Sequence, residues 1–270
     1  MSPKTVVVSG GTDGMGRATA LARRERGDTV VVIGSNAEKG RALGPGITFL
    51  HADLSSVVAV RGVVEAVGER FGAVDALVLC ANRQSPARRE TAEGLEYTFA
   101  LYYLSRYLLA EGLRPQLEAA PAPVIVNVSG VGVTKGAIAW DDLQLRAGYG
   151  MIRAQLQAGR LNDLLGAGHA GKARYVLYHP GFTRSGDLSP LSPALRVALR
   201  ALARVAARPV AESVRPIVEL IDAPPAARLT AIDRGRVLDP SLHTLDPAAA
   251  ARLRAATEAL LATLAPRPDR

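Results

Sequence analysis

Gly10, Gly14 and Gly16 follow directly on a β-branched run at residues 5–8, in the stretch TVVVSGGTDGMGRATA. A side-chain-free turn between a buried strand and a helix lets backbone N–H groups close on a pyrophosphate at the positive end of the helix. The chemistry this spacing offers is nucleotide binding, with Thr12 and Met15 inside the same turn. The gaps of three residues and then one differ from the G-x-G-x-x-G fingerprint, and glycine turns also occur for packing alone. A place directly after the first strand favours the nucleotide.

Gly34, Ser35 and Asn36 end a second apolar run at 29–33, where an open α/β sheet meets the adenosine ribose. An acidic residue there would hold the 2′-hydroxyl and an arginine would accept a 2′-phosphate; neither is present. With Lys39 and Arg41 close by, the reading leans to NADP(H), although both also suit an ordinary helix surface. Asp53 and Leu54 follow a third strand at 47–51. The aspartate either accepts from the adenine amino group or caps a helix beginning at Ser55.

Positioning these groups requires strands alternating with helices. Hydrophobic spacing predicts helices over 15–26 (stopped at Gly27), 57–71, 91–112, 152–165, 191–206, 211–220 and 247–264, and further strands over 74–79, 121–128, 174–178 and 229–232. Trp140, Asp141 and Asp142 open a loop that contains Tyr149. This alternation gives an α/β fold, a doubly wound parallel sheet of about seven strands with helices on both faces. Right-handed crossovers gather the glycine turn, Asn82, Ser129 and His179 at the carboxyl edge of the sheet.

The 270 residues suit one domain, apolar content is 48%, and no eighteen-residue apolar run occurs, so the expectation is a cytoplasmic protein with no membrane partner. A net charge of +8 comes from arginines spread along the chain; with aromatic content at 4% it argues for a solvated surface and against nucleic acid. Cys80 is the single cysteine, which excludes an internal disulfide, and His51, His169 and His243 show no ligand spacing, so no metal is expected. Asp141 and Asp142 are adjacent and cannot share a helix face as an acid/base pair.

The glycine turn, Asp53-Leu54, VDALVLCAN, VIVNVSG and YHPGFTRS together resemble the short-chain dehydrogenase/reductase family across nearly the whole chain. SGGTDGMG, ETAEGLEYTFALYYLSRYLL and WDDLQL…GRLNDLLG are similar to a bacterial branch related to daunorubicin C-13 ketoreductase, associated with secondary metabolism and antibiotic biosynthesis. The resemblance implies a Rossmann-type fold and NADP(H)-dependent carbonyl reduction. It places Ala81 and Asn82 after the fourth strand, and Pro180, Gly181 and Ser185 after the sixth, along the nicotinamide. It also allows a homodimer through the helices after strands four and five, which Arg106, Arg114 and Arg160 neither support nor exclude.

The family's proton-transfer set is altered. Its Tyr-x-x-x-Lys pair registers either on Tyr149 and Arg153 or, with the longer match GRLNDLL, on Leu156 and Arg160; the second is preferred. Its serine corresponds to Gly130, with Ser129 before it, and its asparagine to Tyr102. Arg160 could hold the ribose hydroxyls but cannot relay a proton, since it stays protonated. The acid is then sought among Tyr102, Tyr149, Tyr103, Ser129, a water or the substrate, with Tyr102 and Tyr149 placed first, although packing with a satisfied hydroxyl is the commoner role for such a tyrosine. His179 reads as a strand-end cap. The leading expectation is an atypical ketoreductase acting on a small hydrophobic, aromatic substrate. The alternatives are a non-redox cyclase or isomerase on the same fold, or a non-catalytic protein binding NADP(H) or a metabolite.

Overall fold

The computed structural model describes residues 2–181, 183 and 209–264. Eight strands form one sheet in the order β3-β2-β1-β4-β5-β6-β7-β8: β1 Thr5–Ser9, β2 Thr29–Gly34, β3 Ile47–His51, β4 Ala76–Leu79, β5 Val124–Val128, β6 Arg174–His179, β7 Leu229–Asp233 and β8 Arg236–Val237. The first seven are parallel, and β8 turns back antiparallel on β7. The expected α/β doubly wound sheet is therefore present, with one edge strand more than the pattern predicted. Two residues, both exposed, carry no apolar alternation by which β8 could be read.

Alternation along each strand divides the core into two layers. Val6, Val8, Val30, Val32, Val78 and Val126 pack on one face with helix α1 (Gly14–Glu25) and a later helix, α7 (Val210–Asp222). Val7, Val31, Ile33, Leu77, Leu79 and Ile125 pack on the other with α3 (Val57–Arg70), α4 (Ser105–Gly112), α6 (Met151–Ala167) and α8 (Pro247–Thr263). A strand buried on both faces has to be apolar at every position, which is why these segments read as unbroken runs. Two short helices, α2 (Ala37–Arg41) and α5 (Arg114–Ala119), also flank the sheet.

Helix ends follow side-chain chemistry. Asp13 accepts from Gly14 N at 2.7 Å, Asn36 from Lys39 N at 2.8 Å, and Ser56 from Ala59 N at 3.3 Å. Asp53 does not cap α3, as one of the two sequence readings had it; its Oδ1 takes Ser55 N at 2.9 Å and Ser55 Oγ at 2.8 Å, a tight turn one step earlier. The helix expected over 91–112 is also shorter. Gly94, at φ 74°, turns the chain, and Glu90 and Glu96 form an antiparallel bridge. The Glu96 carboxylate then accepts Thr98 N at 2.8 Å and Phe99 N at 2.6 Å and starts a π-helical segment, Phe99–Leu104, that runs straight into α4. The predicted helix at 191–206 lies outside the described residues. Among the described residues no helix is long and apolar enough to cross a membrane.

Candidate active site

A cleft of about 550 Å³ runs along the carboxyl edge of the sheet, across the point where strand order reverses between β1 and β4. Gly10, Thr12, Gly14, Met15 and Gly16 line it, with Ser35, Asn36, Asp53, Leu54, Ala81, Asn82, Ser129 and Pro180. Every one of these was expected there from the sequence. Gly181 follows Pro180 at φ 82°, and Ser185 lies outside the described residues.

The glycine turn is made by close approach. Gly10 has φ 67°, and a Cβ on it would meet the Ala81 backbone at 2.7 Å; a Cβ on Gly16 would sit 2.4 Å from the Gly10 carbonyl oxygen. Only glycine fits at both positions. The cleft thus offers open backbone at the amino end of α1, which fits a dinucleotide pyrophosphate. A second feature marks the other end: Ser129 is 5% exposed, lines the cleft, and its hydroxyl has no hydrogen-bond partner among the described residues. A ligand oxygen would satisfy it.

Sequence reading missed one carboxylate at the ribose end. Asp13, the α1 cap, lines the cleft and forms an ion pair with the ammonium of Lys39. The cap position immediately before Gly14 was the available signal.

The proton-transfer candidates separate into two groups. Tyr102 is 7% exposed and lines the cleft. Burial raises its hydroxyl's pKa, opposed by Arg106, by Arg160, and by a hydrogen bond from the Gly130 backbone N–H. Tyr149 stands in the turn ahead of α6, where its hydroxyl donates to the Ser85 carbonyl at 2.8 Å; it does not line the cleft it was expected to enter. Its registration partner Arg153 is exposed and caps the Ala147 and Gly148 carbonyls.

Leu156 and Arg160 do lie on α6, but neither lines the cleft. Leu156 faces a separate apolar pocket of about 320 Å³ with Ala137, Ile138, Ala139 and Ile152. Arg160 is 6% exposed and ion-paired with Asp163, itself fully buried, so its expected place on the nicotinamide ribose is not where its guanidinium points. Burial lowers its pKa to about 10. From α6 it is Gln155 that reaches the cleft wall, exchanging hydrogen bonds with Asn82 at 3.0 and 3.3 Å. Tyr103 points away, its hydroxyl 2.7 Å from Thr257 Oγ1.

His179 lines the cleft and shares a 2.8 Å hydrogen bond between Nδ1 and Asp233 Oδ1. It is oriented by a carboxylate, more than the strand-end cap expected of it. Burial works to raise the Asp233 pKa, but Arg234 and His179 hold it below the usual carboxylate range. Cys80 also lines the cleft; desolvation pushes its thiol up to about 12, against the pull of Arg106, so it stays protonated.

A glycine turn opening α1 at the switch point of a doubly wound sheet defines a dinucleotide-binding protein. Comparison makes the class specific. The sequence pattern described as short chain dehydrogenase matches residues 4–141, and the chain belongs to that oxidoreductase family, whose members use nicotinamide cofactors. A Streptomyces sp. (strain C5) protein assigned as daunorubicin C-13 ketoreductase DnrU is 30% identical over 194 residues, 67% of each chain. Human retinol dehydrogenase 13 is 30% identical over 149 residues, 52% of this chain and 45% of its own length. An uncharacterised Mycobacterium paratuberculosis protein superposes with a TM-score of 0.72 at 22% identity, covering 95% of this chain and 92% of its own. The NADPH-dependent 3-quinuclidinone reductase of Rhodotorula rubra gives 0.63 at 18% identity, covering 87% and 91%. At these identities the structural neighbours speak for the fold alone.

Proposed function

We propose that the protein is an NADP(H)-dependent ketoreductase that reduces the carbonyl of a hydrophobic, aromatic substrate and takes the proton from Tyr102. The observation that carries this reading is the sharing of one cleft by Tyr102, Ser129 and the glycine turn, from which Leu156 and Arg160 stand apart. Gly10, Thr12, Gly14, Met15 and Gly16 would hold the pyrophosphate, Ser35, Asn36 and Lys39 the ribose, Asp53 and Leu54 the adenine, and Ala81, Asn82 and Pro180 the nicotinamide end. The dinucleotide, when bound, supplies the hydride. The Ser129 hydroxyl donates to the carbonyl oxygen, and Tyr102 gives it a proton as negative charge develops there. Tyr97, Leu101 and Val128, which line the same cleft, support a hydrophobic guest.

The test is loss of nicotinamide absorbance when the protein meets NADPH and phenanthrenequinone. Turnover in the wild type with kcat down about a hundredfold in Tyr102→Phe is the expected result. A rise in melting temperature with NADPH but no consumption would point to the non-redox or binding-only alternative. Full activity in Tyr102→Phe would sink the choice of acid.

A further inference from the structure

Arg106 is fully buried where the carboxyl ends of β4 and β5 meet. Every hydrogen bond it makes goes to a neutral acceptor: the Ala81 carbonyl at 2.9 Å, the Val128 carbonyl at 2.8 Å, and the Asn127 side-chain amide oxygen. Its Nε has no partner among the described residues. Its guanidinium carbon lies 4.6 Å from the centre of the Tyr102 ring, one helical turn back. A cation withdrawn from water with only neutral ligands is costly, and it stabilises strongly any negative charge that appears beside it. Arg160, ion-paired with Asp163, also lies near Tyr102 but acts on its hydroxyl less than Arg106 does.

We propose that Tyr102 and Arg106 form a relocated proton-donor pair, in which Arg106 is the fixed positive charge that stabilises the Tyr102 phenolate left after proton transfer. The pairing rests on the ketoreductase reading. The dinucleotide, when bound, would supply the hydride that reduces the carbonyl carbon and would be left oxidised, so that the C=O π pair moves to oxygen. The Tyr102 O–H bond then breaks, and its proton bonds to that oxygen. The phenolate is held under the guanidinium until water at the cleft mouth reprotonates it. Three residues separate donor and cation, the spacing of the family's Tyr-x-x-x-Lys, on a different helix. Arg106 does not touch the substrate; it is a positioning residue, anchored by Asn127, which in turn donates to Asn162 Oδ1 at 3.0 Å and to the Tyr175 hydroxyl at 2.8 Å. The ionisable groups facing the pair are Cys80 just past β4, Tyr175 on β6, and Arg160 with its partner Asp163 on α6. Burial holds both the Cys80 thiol and the Tyr175 hydroxyl in their neutral forms, so neither competes for the charge.

The experiment is a double-mutant cycle with NADPH and phenanthrenequinone: wild type, Tyr102→Phe, Arg106→Gln and the double variant, with Arg106→Lys as the conservative replacement and melting temperatures to verify folding. Arg106→Gln is expected to lower kcat at least tenfold with KM little changed, Arg106→Lys to recover most of that loss, and Arg106→Gln to add under twofold in the Tyr102→Phe background. Alkaline ultraviolet titration of the nucleotide-free proteins supplies a second readout. The phenolate signal missing in Tyr102→Phe should move to higher pH in Arg106→Gln, because the phenolate has lost its cation. Equal losses from Arg106→Gln in both backgrounds overturn the pairing and leave Tyr102 as the acid. Wild-type kcat in Tyr102→Phe overturns both. If the wild type does not turn over the probe, the ketoreductase reading falls, and an unmoved titration midpoint would overturn the pairing as well.

Discussion

The two ends of the cleft are made of different material. At the β1 end the cleft wall is main chain, and the sequence can build it in one way, with glycine at positions 10 and 16, because the atoms opposite are themselves main chain. At the β5 end the wall is made of side chains on separate elements, Ser129 after β5 and Tyr102 on the π-helical segment, with Arg106 one turn on. A side-chain site can be rebuilt from another helix as long as the polar atom arrives in the same space; a backbone site has no such freedom. In the reading proposed above, this chain keeps the first and rebuilds the second.

The sharpest way to break that contrast is Gly16→Ala. Its methyl would meet the Gly10 carbonyl oxygen at 2.4 Å, and only a shift of backbone could relieve it. NADPH affinity, followed by thermal protection, should fall more than a hundredfold, and the nucleotide-free protein should lose stability as well. Ser129→Ala tests the other end: kcat about tenfold lower with nucleotide affinity unchanged, since a single donor to the developing oxyanion is removed. Equal effects on binding and turnover would erase the division between the two ends.

Outside the cleft, effects should be on stability. Burial, then the charge of Arg114, lowers the His169 pKa to about 4, while the unfolded chain titrates near 6.5. Between these values the unfolded state binds the proton and the native state does not, so stability drops as pH falls from about 6.5 to about 4. Melting curves over that range should flatten in His169→Leu. The smallest effect belongs to Tyr149→Phe, which removes one part-buried hydrogen bond to the Ser85 carbonyl: about 1 kcal/mol of stability, with kcat unchanged. A large kcat loss there would return Tyr149 to the chemistry.

Much of the frame was legible. β3 begins and ends where the sequence pattern put it, and β1 and β2 differ from theirs by a residue, the latter two because strands buried on both faces leave no other pattern. The glycine turn and its neighbours to Asn82 could be placed on one edge from strand order alone. What escaped depends on tertiary partners. Helical spacing cannot reveal that residues 91–98 turn at Gly94, or that 99–104 winds as a π-helix. Asp13 was passed over as turn composition, and its pairing with Lys39 needed the β2 end folded beside it. Arg106 was weighed only as a surface charge for a dimer. The signal for more was its isolation, one cation in the apolar stretch FALYYLSRYLLA, four residues beyond Tyr102.

The π-helical segment has a mechanical consequence. One extra residue is accommodated in the turn at Phe99–Leu104, so everything C-terminal to it is rotated about its axis relative to an ordinary helix, by roughly 100° per residue. Removing a single residue there would leave composition and hydrophobicity almost untouched, yet it would swing the guanidinium off the strand ends and the phenol out from under it. The winding of that one turn keeps the Tyr102 ring and the Arg106 guanidinium in phase.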